Sequence, residues 1–249
     1  MNVLTSDLFS EIDFIAHGFF DRMDGESSGT YESLNVGFER GDDENALKNR
    51  EKIAQIFGIS SKNLITLKQT HGDIVHVIDK NNKDNYLFNS IESNQKNDGD
   101  AIITNEKGIL IGVATADCAP ILLCDIEKKY IAAIHAGWRG ANGLIIENTI
   151  EKMKSLGCKK ILATVGPCLQ KVSFEINDDL SFTGDRKYIS YTDTSTLYDM
   201  QLQILNKLLA NGVKSVSKMN IDTYSNVNYF SKRRIGDETG VQFSGIMLR

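Results

Sequence analysis

Between Asp98 and Gly140 the chain is a succession of apolar runs, each about one strand long, divided by short polar turns. The runs are Ala101–Thr104, Ile109–Thr115, Pro120–Cys124 and Tyr130–Ile134. They lack the alternation of a half-exposed strand, so they predict strands buried on both faces. A chain built round such strands must cover both sides of a sheet. Asn105–Gly108 reads as a hairpin-like turn between the first two runs, and Asp125–Lys129 as another between the last two. Unusual side chains stand at the strand ends: Cys118 in A-D-C-A-P, and His135 just before the turn A-G-W-R-G. A thiol and an imidazole so placed suit metal binding or nucleophile–base chemistry. His71, in the loop K-Q-T-H-G-D, is the natural third residue.

The rest of the chain supplies cover for that sheet. Ile12–Phe20 is strand-like by its β-branched and aromatic content. Residues 25–41, with S-L-N-V-G in the middle, read as a functional loop. A helix follows, with Asp43 as its N-cap, Leu47, Arg50, Ile53, Ala54 and Phe57 at helical spacing, and Gly58 at its end. Leu64–Leu67 and Ile74–Ile78 are strands flanking His71. Residues 79–97, polar and rich in Asn and Lys, read as a mobile insertion. An amphipathic helix follows Gly140 and closes at Gly157, Lys160–Gly166 is a strand, Leu197–Ala210 is a long helix, and V-Q-F-S-G-I-M-L is a last strand. Strands outnumber helices without a simple alternation. The fold class expected is therefore α+β, a single domain over residues 1–249.

Composition narrows the function classes. The 249 residues carry 41% hydrophobic and 24% charged side chains, an ordinary globular balance. With a formal net charge of −5 and only Lys232-Arg233-Arg234 as a basic cluster, nucleic acid is not expected as a partner, whereas a small anion met by a local basic pocket is. The most apolar stretch, residues 108–124, is broken by Asp117 and Pro120 and is short for a membrane span. The first residues show no basic and apolar leader. Four cysteines in a chain this long do not form a disulfide framework, and a cytoplasmic setting is expected.

The residues leave the chemistry open. His71, Cys118 and His135 match a catalytic zinc set with one vacant position. The same residues also match a Cys118 nucleophile with a histidine base, as in an amide or ester hydrolase. Cys168, after Gly166-Pro167, is a further reactive-thiol candidate. Arg139 and the glycines around it, between a strand and a helix, suit an anion. Asp100 and Asp117 are candidates for moving protons or orienting a ligand histidine, with a capped turn as the plainer role for Asp117.

The motifs H-G-F-F-D-R from His17, S-L-N-V-G, N-R at Asn49-Arg50, Q-T-H-G, D-G-D-A, T-A-D-C-A-P, H-A-G-W-R-G, G-P-C, Y-F-S-K-R-R and T-G-V-Q-F span nearly the whole chain in order. Together they resemble the YfiH family, described both as multicopper polyphenol oxidases and as purine nucleoside phosphorylases with adenosine deaminase activity. The resemblance implies mixed β-sheets packed between helical layers (α/β/β/α). It implies zinc, with copper as the alternative, on His71, Cys118 and His135. It also points to Arg50 as an active-site residue, and to a purine nucleoside and phosphate as substrates. This chain departs from the family after Cys168, at Asp222-Thr223, and at Ser231–Gly236. None of these departures touches the ligands; they bear on substrate range. Four histidines fall short of a laccase-type copper cluster, so the nucleoside reading ranks first and a copper-dependent oxidase low. No oligomeric state follows from the sequence.

Overall fold

The computed structural model describes residues 2–38, 40–88, 96–176 and 184–249. In chain order the strands are β1 Val3–Leu4, β2 Ile15–Phe20, β3 Leu64–Ile65, β4 Val75–Ile78, β5 Ala101–Thr104, β6 Leu110–Thr115, β7 Ala119–Asp125, β8 Ile131–Ala136, β9 Ile161–Val165, β10 Glu175–Ile176, β11 Ile189–Tyr191, β12 Thr196–Tyr198, β13 Ser215–Lys218 and β14 Gln242–Leu248. The helices among the described residues are α1 Asp7–Ser10, α2 Asp43–Ile56, α3 Trp138–Asn142, α4 Ile145–Ser155, α5 Met200–Ala210 and α6 Lys232–Ile235.

Two large sheets stack face to face. One has six strands in the order β13-β9-β7-β8-β5-β4, the other five in the order β1-β2-β14-β6-β3. Both are mixed: β4 pairs parallel with β5, β13 with β9, and β3 with β6, while the remaining ladders are antiparallel. A third, three-stranded sheet, β10-β12-β11, stands apart.

Burial follows the alternation of side chains along each strand. Ile103, Ile121, Leu123 and Ile134 on one face of the six-stranded sheet pack against α4 and α5 through Ile146, Ile150, Met153 and Ile204. Ile102, Leu122, Cys124 and Ala133 on its other face meet Phe19, Ile65, Ile111 and Ile246 of the five-stranded sheet. The far face of that sheet meets α2 through Phe20, Leu110, Phe243 and Ile53. The layers are therefore helix, sheet, sheet, helix, and the fold is α+β. Strands β7 and β8 are buried at every position, as their unbroken apolar runs require. Each fully buried Ile or Leu contributes about 1.5–3 kcal/mol relative to an exposed one.

Several sequence expectations need correction. The turn after β5 is no hairpin, because β5 and β6 belong to different sheets. The turn between β7 and β8 is one: the Asp125 carboxylate accepts from Glu127 N at 3.1 Å and Lys128 N at 2.6 Å. The helix expected after Gly140 is α4, and a short helix, α3, that the sequence did not announce precedes it. The helix expected from Leu197 begins at Met200, because Thr196–Tyr198 pairs as a strand with β10 and β11. The Asp199 side chain, accepting from Leu202 N at 2.9 Å, then caps it. The N-cap of α2 is Asp42, not Asp43. Within the polar stretch 79–97, residues 89–95 lie outside the described residues, but Phe88 is buried and stacks on Phe38 at 5.6 Å. Among the described residues no helix is long and apolar enough to cross a membrane.

Candidate metal centre

After β6 the chain leaves the five-stranded sheet and enters the six-stranded sheet as β7. Ala116-Asp117-Cys118 makes that crossing, which sets the Cys118 thiol at the seam between the sheets. Asp117 takes the left-handed conformation there, with φ 83°. Its carboxylate is fully engaged: Oδ1 accepts from Thr223 Oγ1 at 2.7 Å and Oδ2 from Arg233 N at 2.6 Å. Asp117 therefore ties the crossing to the segment around α6, which is the capped-turn role. His71 lies in the loop between β3 and β4, also left-handed at φ 59°. Backbone in this region is uncommon for non-glycine residues and concentrates where a site needs it. His135 comes from the end of β8, where it is 2% exposed.

These three side chains converge. One ligand atom from each of His71, Cys118 and His135 lies within 4.8 Å of the others. The Cys118 sulfur stands 3.8 Å from His71 Nε2, and the two imidazoles meet edge to face with centroids 4.7 Å apart. Asp100, the residue before β5, is the hub that fixes both. Its Oδ1 receives His135 Nδ1 at 2.7 Å and His71 N at 3.0 Å. Its Oδ2 receives Gly72 N at 2.8 Å, Thr70 Oγ1 at 3.1 Å and Thr70 N at 3.2 Å. With Nδ1 of His135 bound to the carboxylate, Nε2 is the nitrogen presented to the centre, the arrangement that commonly supports metal-ligating histidines.

The electrostatics agree with the geometry. Burial alone would raise the Cys118 thiol, but the charge and hydrogen bonds of His135 and His71 outweigh it and bring it down to about 6. Burial alone would lower His135, but Cys118 and Asp100 carry it up to about 9. Burial pushes the Asp100 carboxyl up and His135 pulls it further down, for a net lowering. Such a thiolate–imidazole set suits zinc or copper(I), and three protein ligands leave a position for substrate or water. The residues present fit such an ion on their donor chemistry and their convergence. Gly137 is part of the fit: a Cβ there would stand 2.7 Å from the Cys118 sulfur and 3.2 Å from His71 Cδ2.

Cavities open on both sides of the cluster. The larger, about 570 Å³, is walled by His71, Cys118, Trp138, Arg139, Phe174 and Arg233, among others. The smaller, about 280 Å³, includes Arg50, Thr66, Gln69 and again His71, Cys118 and His135. Arg139 is exposed in the first, with its guanidinium 4.4 Å from the Trp138 ring. Arg50 is 2% exposed in the second, 5.1 Å from the Phe38 ring and 5.5 Å from Phe88, and donates to Thr66 Oγ1 at 3.2 Å. Burial draws it down to about 9, so it remains charged at neutral pH. The neighbouring Asn49 explains the N-R pair. Its side chain bonds Asn35 O at 2.7 Å and Glu26 N at 2.7 Å, pinning the 25–41 loop over α2.

Cys168 is not among the residues brought together. It is fully buried behind the site and lines neither cavity. Desolvation raises its thiol to about 12, and Gln201 and Gln170 donate to its sulfur. The structure adds residues that sequence reasoning passed over. Lys232 borders both cavities, Arg233 lies over the Phe174 ring at 5.6 Å, and Phe174 and Met200 supply apolar wall. For Lys232 and Arg233 the signal was K-R-R, read as a short basic cluster and as part of the motif Y-F-S-K-R-R; Phe174 and Met200 had none.

Layered mixed sheets closing on a histidine–cysteine–histidine centre define a class of α+β proteins with a metal-type site at a sheet seam. The family of multi-copper polyphenol oxidoreductase laccases matches residues 16–249, and the chain belongs to that family. A purine nucleoside phosphorylase of Corynebacterium glutamicum is 32% identical over 237 residues, covering 92% of this chain and 93% of that one. One from Clostridium acetobutylicum is 30% identical over 261 residues, covering 100% of both. An adenosine deaminase from an unknown prokaryotic organism is 30% identical over 243 residues, covering 90% of each. Among solved structures, the Bacillus licheniformis hypothetical protein YfiH superposes with a TM-score of 0.87 at 20% identity, over 99% of this chain and 96% of that one. A Neisseria meningitidis protein does so with 0.84 at 28% identity, over 100% and 99%.

Proposed function

We propose that the chain, acting as one domain over residues 1–249, is a zinc-dependent purine nucleoside phosphorylase with accompanying adenosine deaminase activity in the cytoplasm. The observation that carries this reading is the convergence of His71, Cys118 and His135 within 4.8 Å on the wall of a 570 Å³ cavity lined by both aromatic rings and cations. Relatives named for both activities, matched along almost the whole chain, support it.

In this reading His71, Cys118 and His135 hold the zinc, which when bound supplies Lewis acidity beside the substrate. Trp138, Phe174 and Met200 offer an apolar wall for a purine ring. Cations along the cavities stabilise charge as phosphate approaches and the purine departs. Asp100 is a positioning residue: it fixes His135 and the His71 loop and does not reach the cavity itself. Holding the six-carbon of adenine toward water would give deamination, with ammonia as product. Four unpaired thiols fit a reducing compartment.

The alternative metal chemistry in the family's description asks for more imidazoles than the chain has. Of its four histidines, His17 Nε2 accepts from Ser6 N at 2.8 Å, and His76 bonds Tyr86 Oη and Asp98 O at 2.9 Å each. Among the described residues one His/Cys cluster remains, which favours a single ion. A second enzyme class also has an observation behind it. Asp100, His135 and Cys118 line up as carboxylate, imidazole and thiol, the arrangement of a cysteine hydrolase.

Inosine or adenosine, incubated with phosphate and zinc-loaded protein, is expected to give free purine and ribose 1-phosphate, and a chelator is expected to stop it. Absence of both products sinks the phosphorylase reading. Turnover of esters or amides that survives chelation but not thiol alkylation favours the hydrolase.

A further inference from the structure

We infer that a third cavity, at the β1 edge of the five-stranded sheet, is a binding site for a small organic carboxylate with an apolar body. The site stands apart from the metal centre and owes nothing to the phosphorylase reading.

The cavity holds about 590 Å³, well within the range of about 300–1,000 Å³ that houses organic ligands. It lies where α1, β1, β2, the end of α2 and the last residues of β14 meet, and it shares no wall residue with either cavity at the metal cluster. Val3, Phe9, Ile15, Phe57 and Met247 give it an apolar lining. His17 is on the same wall. That residue opens the H-G-F-F-D-R motif, and the metal centre makes no use of it.

The hydrogen bonding of His17 fixes its tautomer. The ring is 8% exposed and packs edge to face on Phe9 at 5.3 Å. Ser6 N donates to its Nε2 at 2.8 Å. An amide N–H can only donate, so Nε2 presents its lone pair and the proton of the neutral ring sits on Nδ1. This Nδ1–H has no partner among the described residues. Unlike the enclosed Ser6 Oγ it keeps accessible surface, and the cavity is the space that His17 borders. An unmet donor on a nine-tenths buried ring is costly, and an acceptor carried by an occupant of the cavity completes it.

Charge sets the kind of acceptor. Arg249 is on the wall too, and its charge acts on the His17 ring. Its backbone N–H is used, donating to Phe14 O at 2.9 Å. Its guanidinium makes no ion pair among the described residues and has only a long bond, 3.5 Å, to Asp13 O. Asp13 is the one carboxylate side chain on the wall; it is exposed and lies beyond ion-pair distance of Arg249. An imidazole N–H and a guanidinium match the two oxygens of a carboxylate. The apolar lining suits a hydrocarbon chain or ring behind that group and offers little to a phosphate or a sugar.

The test is titration of octanoate into zinc-loaded protein, followed by calorimetry and by the nitrogen-15 resonances of the histidine rings. The expected result is one equivalent bound with a dissociation constant below about 1 mM, and a shift of the His17 ring signals while those of His71 and His135 stay in place. Octan-1-ol, with the same chain and no charge, is expected to bind at least about tenfold more weakly. Two variants separate the donors. His17→Gln sets an amide oxygen where Nε2 accepts from Ser6 N and removes the Nδ1 donor. Arg249→Gln removes the charge from an exposed side chain and leaves the backbone bond to Phe14. Each is expected to weaken octanoate about tenfold with far-UV circular dichroism unchanged. Arg249→Gln carries the comparison alone should His17→Gln fail to fold. No binding up to about 10 mM octanoate, equal affinity for octan-1-ol, or unchanged affinity in a folded variant overturns the inference. Shifts confined to His71 and His135 place the anion at the metal centre and overturn it equally.

Discussion

The Asp100 carboxylate receives Nδ1 of His135 at 2.7 Å while the backbone N–H of His71 reaches the same oxygen at 3.0 Å. One side chain thus sets the ring orientation of His135 and the loop that carries His71. Asp100→Asn replaces one acceptor oxygen with a donor, which cannot satisfy the amides it now receives. Zinc affinity is expected to fall about 10–100-fold, with a stability loss of about 1–3 kcal/mol. Competitive titration against a chromophoric chelator reads the first, and urea unfolding of the metal-free protein the second.

Gly137 has φ −76°, which any residue adopts, so its role is purely one of space. Gly137→Ala puts a methyl 2.7 Å from the Cys118 sulfur. Metal affinity is expected to drop at least about tenfold through displacement of the thiol, with the fold kept, because the crowding is confined to two side chains. Metal analysis alongside far-UV circular dichroism checks both halves of that expectation.

The thiols divide by position. Cys118 is half-buried at the cavity, and Cys124, Cys158 and Cys168 are 0–3% exposed. Metal-stripped protein is expected to take up one iodoacetamide at Cys118 long before the others, by peptide mass mapping. Cys168→Ala is expected to cost about 1 kcal/mol of stability and to leave kcat within about twofold. A large loss of kcat would return Cys168 to the reaction.

His17 sets an acid limit on stability. Burial, helped by the Arg249 charge, lowers it from 6.5 to about 4, and its Nε2 accepts from Ser6 N, a bond only the neutral ring can make. Between those values the unfolded chain takes up a proton that the folded chain refuses. Stability is therefore fully present above about pH 6.5 and falls as the pH drops toward 4, by on the order of 2 kcal/mol. Urea midpoints for His17→Gln should show a flatter acid limb than wild type, and identical limbs would remove His17 from the account.

How much of this was legible in the sequence depended on the length of the signal. Unbroken apolar runs announced β7 and β8, and the loop positions of His71 and Cys118 stood out because their neighbours were strands. The exchange of sheets at Asn105–Gly108 and at Ala116–Cys118 was not legible, since a polar turn looks the same whether it closes a hairpin or crosses a seam. For the same reason Thr196–Tyr198 was absorbed into the helix that follows it. Arg139 reads in the sequence as part of an anion-binding helix start, but α3 is only five residues long. Lys232 and Thr239 reach the centre from more than ninety positions beyond His135 along the chain, a tertiary fact that no local pattern encodes. Cys168 shows the converse: its motif drew notice, yet desolvation places it in the core.

The central claim is a single metal ion held jointly by His71, Cys118 and His135. Elemental mass spectrometry of purified wild type and Cys118→Ser, dialysed side by side, tests it most directly. About one equivalent of zinc per wild-type chain, with most of it lost from the variant at unchanged circular dichroism, is the expected result. A variant that keeps its full equivalent, or a wild type that holds none after zinc loading, would contradict the account.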